Sequence, residues 1–171
     1  FSAKAFNSTK ASKEGKKAKI ISAIAMFYDL DDPYSFLEDV VEVLHDDGLF
    51  VLQLSYTPLM IKQLAFDNIC HEHICYYSLS SLKYALDAVG LDIVDCTLND
   101  VNGGSFRAYM MKKTADKTKF RNQQQRDVAN FRVQSLLQYE DSLKLTEPEI
   151  YINFYKEICE LKDRTVSFIK Q

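Results

Sequence analysis

Glycine is scarce in this chain. The five glycines stand at 15, 48, 90, 103 and 104, and none belongs to a GxGxxG or GxxxxGK[ST] run. Such runs hold nucleoside phosphates on backbone N–H groups between a strand and a helix, so no cradle of that kind is encoded here. No GxSxG elbow is present either, which argues against a serine hydrolase of the α/β type. The four cysteines, at 70, 75, 96 and 159, form no repeating framework. That excludes a disulfide-stapled secreted scaffold and fits a reducing, cytoplasmic setting. No apolar run approaches the ~20 residues needed to span a bilayer. The opening Phe1-Ser2-Ala3-Lys4-Ala5 lacks the charged-then-apolar order of a signal peptide, so no membrane partner is expected. A net charge of -3 offers no broad basic field, and nucleic acid is a poor candidate partner.

What is present suits a core. With 47% hydrophobic and 26% charged residues in 171, the chain is one ordinary soluble domain or a piece of a larger one. It opens on Phe1 and ends inside a helical pattern, and a fragment or processed chain is expected.

Periodicity orders the elements. Residues 2–19 read as a helix end and loop. Lys19 to Phe27 is a short apolar run, the mark of a parallel strand buried on both faces. Asp31-Asp32-Pro33 starts a helix carrying Phe36, Leu37, Val40, Val41 and Leu44 at helical spacing. His45 to Gly48 stops it, and Leu49 to Leu54 is the next buried strand. Ser78 caps a helix that ends near Gly90, and Leu91 to Leu98 reads as a strand. Asn102-Gly103-Gly104 is a turn, followed by a strand over Ser105 to Lys112. From Lys119 the pattern changes to two helices, Arg121 to Leu143 and one carrying Tyr151 to Phe168. Their short connection predicts an antiparallel hairpin. The order predicts an α/β sheet, parallel with a closing antiparallel hairpin.

Chemistry concentrates at Asp67-Asn68-Ile69-Cys70-His71-Glu72-His73, beyond the second buried strand. Strand ends in open α/β sheets are where ligands sit. If the segment is extended, His71 and His73 share one side and Glu72 takes the other. An imidazole with a partner fixing its tautomer can act as a general base. The alternatives are side chains that merely anchor a loop, or a metal module built from Cys70, His71, His73 and Cys75. In Asn102-Gly103-Gly104-Ser105-Phe106-Arg107 the glycines allow close backbone approach and Arg107 could pair with a phosphate; a plain hairpin turn is the other reading. Ala25-Met26-Phe27-Tyr28-Asp29 forms a strand exit that would border a cofactor crevice or simply carry core aromatics.

Five segments occur together in order: Phe27 to Pro33, Asp47 to Gln53, Phe66 to His73, Tyr77 to Leu79 and Asn102 to Arg107. In this order they resemble the S-adenosylmethionine-dependent C-methyltransferases that act on nucleotide-linked deoxysugars. The resemblance extends over nearly the whole chain, including Glu147-Pro148-Glu149-Ile150-Tyr151. It implies the second half of a Rossmann-like class I methyltransferase sheet over residues 1–118. A helical hairpin over residues 119–171 would lead to a further C-terminal domain, and zinc would belong only to an N-terminal domain outside this chain. It implies S-adenosylmethionine as methyl donor, with Ala25, Met26 and Phe27 at its site, and a nucleotide-sugar substrate. His73 would be the base that forms an enolate next to a ketone, and Glu72 would orient it or hold substrate. Tyr56, Asn68, Cys70, His71, Asn102, Gly103, Gly104, Ser105 and Arg107 would line the substrate side. Cys70 stands where family members often carry Tyr, and Ala25 and Asp29 stand where they often carry Asn and His. A non-catalytic sugar-nucleotide-binding or scaffold module of the same fold is the alternative.

Overall fold

The computed structural model describes residues 14–170; the helix end expected over residues 2–13 lies outside the described residues. Four strands and five helices follow in order. They are β1 (Ala18–Ile24), α1 (Pro33–Val43), β2 (Leu44–Ser55), α2 (Thr57–Lys62), α3 (Leu79–Ala88), β3 (Leu91–Asn99), β4 (Ser105–Lys112), α4 (Gln123–Leu143) and α5 (Pro148–Ile169). The chain is α/β, with one mixed sheet in the order β1-β2-β4-β3. β1 and β2 run parallel, while β4 is antiparallel to both β2 and β3. The closing hairpin therefore inserts its second strand into the sheet's interior.

Local chemistry explains the helix starts. The Asp32 carboxylate accepts from Ser35 N–H at 3.0 Å, with Pro33 at the first turn of α1. Ser78 and Ser81 close a reciprocal capping box on α3, and Asn122 and Gln125 close another on α4. The core lies along β2, β4 and β3, where Phe50, Leu52, Leu54, Phe106, Ala108, Met110 and Cys96 are buried against α1 and α3 residues such as Leu37, Val40, Leu82 and Leu86.

Three expectations are corrected. First, β1 is not buried on both faces: Ile21 and Ala23 are covered, but Ile20 is 70% and Ile24 55% exposed. Nothing among the described residues covers that face. Second, Leu44 leaves the helix and begins β2. Ala18 faces Leu44 and Ile20 faces Leu49, so residues 45–48 bulge out of a continuous strand instead of forming a stop. Third, α4 and α5 make no extended contact with each other. α4 lies on β3 and α3. α5 buries only Phe154, which lines one cavity with Thr57 and Met60 of α2. The short α2 helix, opened by Thr57-Pro58, has no counterpart in the periodicity reading because six residues are too few to show a stripe.

Candidate functional site

The site forms where β1 and β2 end and the chain between α2 and α3 folds back across them. The N–H groups of Ile74 and Cys75 donate to the Tyr28 carbonyl at 3.0 and 3.1 Å, tying this connection to the exit of β1. His73 N–H donates to the Cys70 carbonyl at 3.3 Å, so residues 70–73 form a turn and not an extended run. The alternation expected for the three side chains is therefore absent. His71 and Glu72 both point to solvent, 91% and 72% exposed, with 3.9 Å between them. Cys70 is exposed as well. His73 alone turns inward.

The His73 ring is held on two sides. Its Nδ1 lies 2.8 Å from the Asn68 carbonyl oxygen. A carbonyl can only accept, so Nδ1 carries the hydrogen, and in the neutral ring the lone pair is on Nε2. The ring also packs on buried Tyr28, centroids 4.3 Å apart at 56°, with Tyr76 edge-on at 6.4 Å. Burial, then the nearby Asp29 and Cys70, push the Tyr28 phenol above its ordinary value, so it stays protonated. Asn68 is itself pinned: its side-chain oxygen accepts from the Ser55 hydroxyl at 3.3 Å and its amide donates to the Ala65 carbonyl at 3.3 Å. Tyr28, Ser55, Thr57, His73, Cys75 and Tyr76 border a cleft of about 10 Å³, on the order of one water.

The other expected residues divide. Gly103 lies beside Asn68 and Ala65 in the turn before β4, so this turn does reach the His73 neighbourhood. Asn102 is exposed with φ 51. The Ser105 hydroxyl donates to the Val101 carbonyl at 2.7 Å and is buried, which makes it a closure of the turn and not a free ligand. Arg107 pairs with Gln53 across the sheet and donates through Nε and Nη2 to its Oε1 at 2.9 and 2.6 Å. Tyr56 is a correction: it is fully buried and its hydroxyl donates to Glu140 at 2.8 Å, so it cannot meet a substrate. Phe27 is a second, because its side chain lies wholly in the core and packs on Phe36 and Tyr77. Ala25 is exposed in the left-handed region, φ 54, with its N–H on the Gln53 carbonyl at 3.0 Å. A non-glycine residue there stores strain of a kind that clusters at ligand sites. Among the described residues no group of three His, Cys, Asp or Glu side chains is gathered as a metal site.

Sequence reasoning did not single out Ser55, Thr57 or Tyr76. It placed Tyr28 in the strand exit, but nothing local says its ring will meet a histidine 45 positions later.

The turn makes a direct prediction. Gly104 has φ +118, and a Cβ there would sit 2.8–2.9 Å from Leu59. Gly103, φ +74, has no neighbour closer than 3.8 Å. In urea unfolding, Gly103→Ala is expected to lose about 1 kcal/mol and Gly104→Ala about 2–3 kcal/mol.

The family described as a methyltransferase domain matches residues 2–95. A second, the C-methyltransferase C-terminal domain, matches residues 100–171. The chain belongs to the S-adenosylmethionine-dependent methyltransferase family, on its C-methyltransferase side. It is similar to the C-methyltransferase NovU of Streptomyces niveus, 34% identical over 99 residues, which are 58% of this chain and 24% of that protein. The chain thus matches about a quarter of that curated relative's length. Among solved structures, the N-methyltransferase NodS of Bradyrhizobium japonicum aligns over 56% of this chain and 52% of its own, with 13% identity and TM-score 0.41. The magnesium protoporphyrin IX methyltransferase of Synechocystis aligns over 56% and 45%, with 9% identity and TM-score 0.44.

Proposed function

We propose that the protein containing this chain transfers a methyl group from S-adenosylmethionine to a carbon next to a ketone in a nucleotide-linked deoxysugar, with His73 as the base. The observation that carries this reading is the Asn68 carbonyl on His73 Nδ1, 2.8 Å away. It leaves Nε2 as the acceptor at the cleft. Proton removal from a carbon beside a carbonyl requires such a positioned base, and the resulting enolate is the nucleophile. Tyr28 holds the imidazole plane. Glu72 is exposed and lies 3.9 Å from His71; it would hold a substrate's outer part and take no part in the proton step.

The donor, when bound, supplies an electrophilic methyl group. Ala25 and Met26 fit its site: their backbone lies one and two residues beyond the end of β1, and Ala25 is strained and exposed. Phe27 would contribute its backbone only. Residues 119–171, which hold α4 and α5, would join this sheet to a further domain.

Hydrogen exchange tests the base directly. In the full-length protein, with a nucleotide-linked keto-deoxysugar in deuterated buffer and no methyl donor, the α position should take up deuterium. His73→Gln should slow that uptake by about a hundredfold or more. Glu72→Gln should change it less than about threefold, as exposed pairs contribute little. Equal uptake in wild type and His73→Gln would remove His73 from the chemistry.

A further inference from the structure

The His73 cleft has room for little beyond a reacting atom, so the rest of any acceptor must extend elsewhere. A second cavity of about 350 Å³ adjoins it and shares Thr57, Met60 and Tyr76 with it. Its far wall is α5, through Tyr151, Phe154 and Tyr155. No charged residue lines it. The floor is buried, with Thr57, Met60 and Phe154 at 6–7% exposure, while the rim is open: Tyr76 is 39%, Tyr151 43% and Tyr155 68% exposed. Open aromatic faces gathered around one concavity mark a binding site and not ordinary surface.

We infer that this cavity receives the nucleobase of the acceptor, stacked on the aromatic rim, while the diphosphate lies outside it. The inference rests on His73 acting on a nucleotide-linked substrate and adds where the nucleotide goes. A flat uncharged ring matches aromatic walls that carry hydroxyls but no charge. A diphosphate requires cations or clustered N–H donors, and this lining has no cation. The arrangement also assigns α5 a task, since it builds the wall opposite Tyr76.

Saturation-transfer NMR on the full chain tests this, with uridine, UDP and ribose as probes. Uridine should bind, ribose should not, and UDP should bind within about threefold of uridine. Tyr155→Ala should weaken uridine about tenfold, the scale of one base–aromatic stack, while Tyr155→Phe keeps it. Phe131→Ala, an exposed aromatic on α4 at 72% exposure, should leave binding unchanged. His73→Gln should also keep uridine binding, so failure of the base and failure of this site are read separately. No uridine binding, UDP preferred more than tenfold, or equal loss in Phe131→Ala would each overturn the inference. So would sedimentation showing a dimer that Tyr155→Ala converts to monomer, because the groove would then be an interface between copies.

Discussion

Replacing Glu140 with alanine is expected to lower the unfolding free energy by about 3–5 kcal/mol, read from the urea midpoint at unchanged slope. Glu140 lies on α4 and is 2% exposed. Its Oε1 accepts from the Tyr56 hydroxyl at 2.8 Å and from Leu79 N–H at 2.6 Å, and its Oε2 accepts from Ser80 N–H at 2.8 Å. Leu79 and Ser80 open α3, so the carboxylate also meets the positive end of that helix. Alanine strands three donors, two of them on the fully buried Tyr56 and Leu79, and each stranded buried donor costs about 1–3 kcal/mol. Glu140→Gln should lose less, about 1–2 kcal/mol, because one end of an amide presents N–H to a donor. Tyr56→Phe should cost about 1 kcal/mol and leave the other two bonds intact. If Glu140→Ala lost no more than an exposed substitution, the carboxylate would not be what fastens α4 to the start of α3. The Tyr56 phenol, pushed far above its ordinary value by burial and by Glu140, remains a donor at every accessible pH.

Asp95→Asn is the second large effect, expected at about 2–4 kcal/mol at neutral pH. Asp95 is 1% exposed. Arg132 donates to it through Nε at 2.9 Å and Nη2 at 2.7 Å, and Arg121 through Nη1 at 2.5 Å. The figure sits below the full cost of breaking a buried pair because the arginine side chains keep 23% and 38% of their access to water. Burial alone would raise the Asp95 carboxyl; the hydrogen bonds from Arg132 and Arg121 and their charges outweigh it and hold the carboxyl below its usual value. The sign follows from that direction. A carboxyl lowered by folding contributes stability that is complete above its unfolded value of about 3.9 and is lost as pH falls through the folded value. Wild type should therefore lose stability below about pH 4 more steeply than Asp95→Asn, in urea titrations at successive pH. Parallel acid limbs would show that Asp95 titrates alike in both states.

The elements were legible in the sequence where their causes are local. Asp32-Pro33 and Ser78 announce helix starts through caps a few residues wide. The Asn102-Gly103-Gly104 turn announces itself because Asn and Gly accept a positive φ, here 51 to 118, at the least steric cost. Errors fell where distant chain decides. Ile20 and Ile24 read as core, yet an apolar run does not say what will cover it. His45 to Gly48 read as a stop, while pairing with β1 turned it into a bulge.

At the site, the identity of His73 was legible and its surroundings were not. A run of His, Glu and His states the chemistry available, but the turn at Cys70 decides that one imidazole enters and its neighbours leave.

The sequence by itself determined an α/β chain closed by a hairpin, a helical pair at its end and a histidine-bearing segment beyond β2. Those features follow from spacing, caps and turn residues, which act over a few positions. The tertiary structure alone decided that β4 lies between β2 and β3, that the ring of Tyr28 and the carbonyl of Asn68 fix His73, and that Glu140 reaches back 61 residues to Leu79. Those contacts join parts of the chain whose meeting depends on the packing of the whole sheet, and no local pattern encodes it.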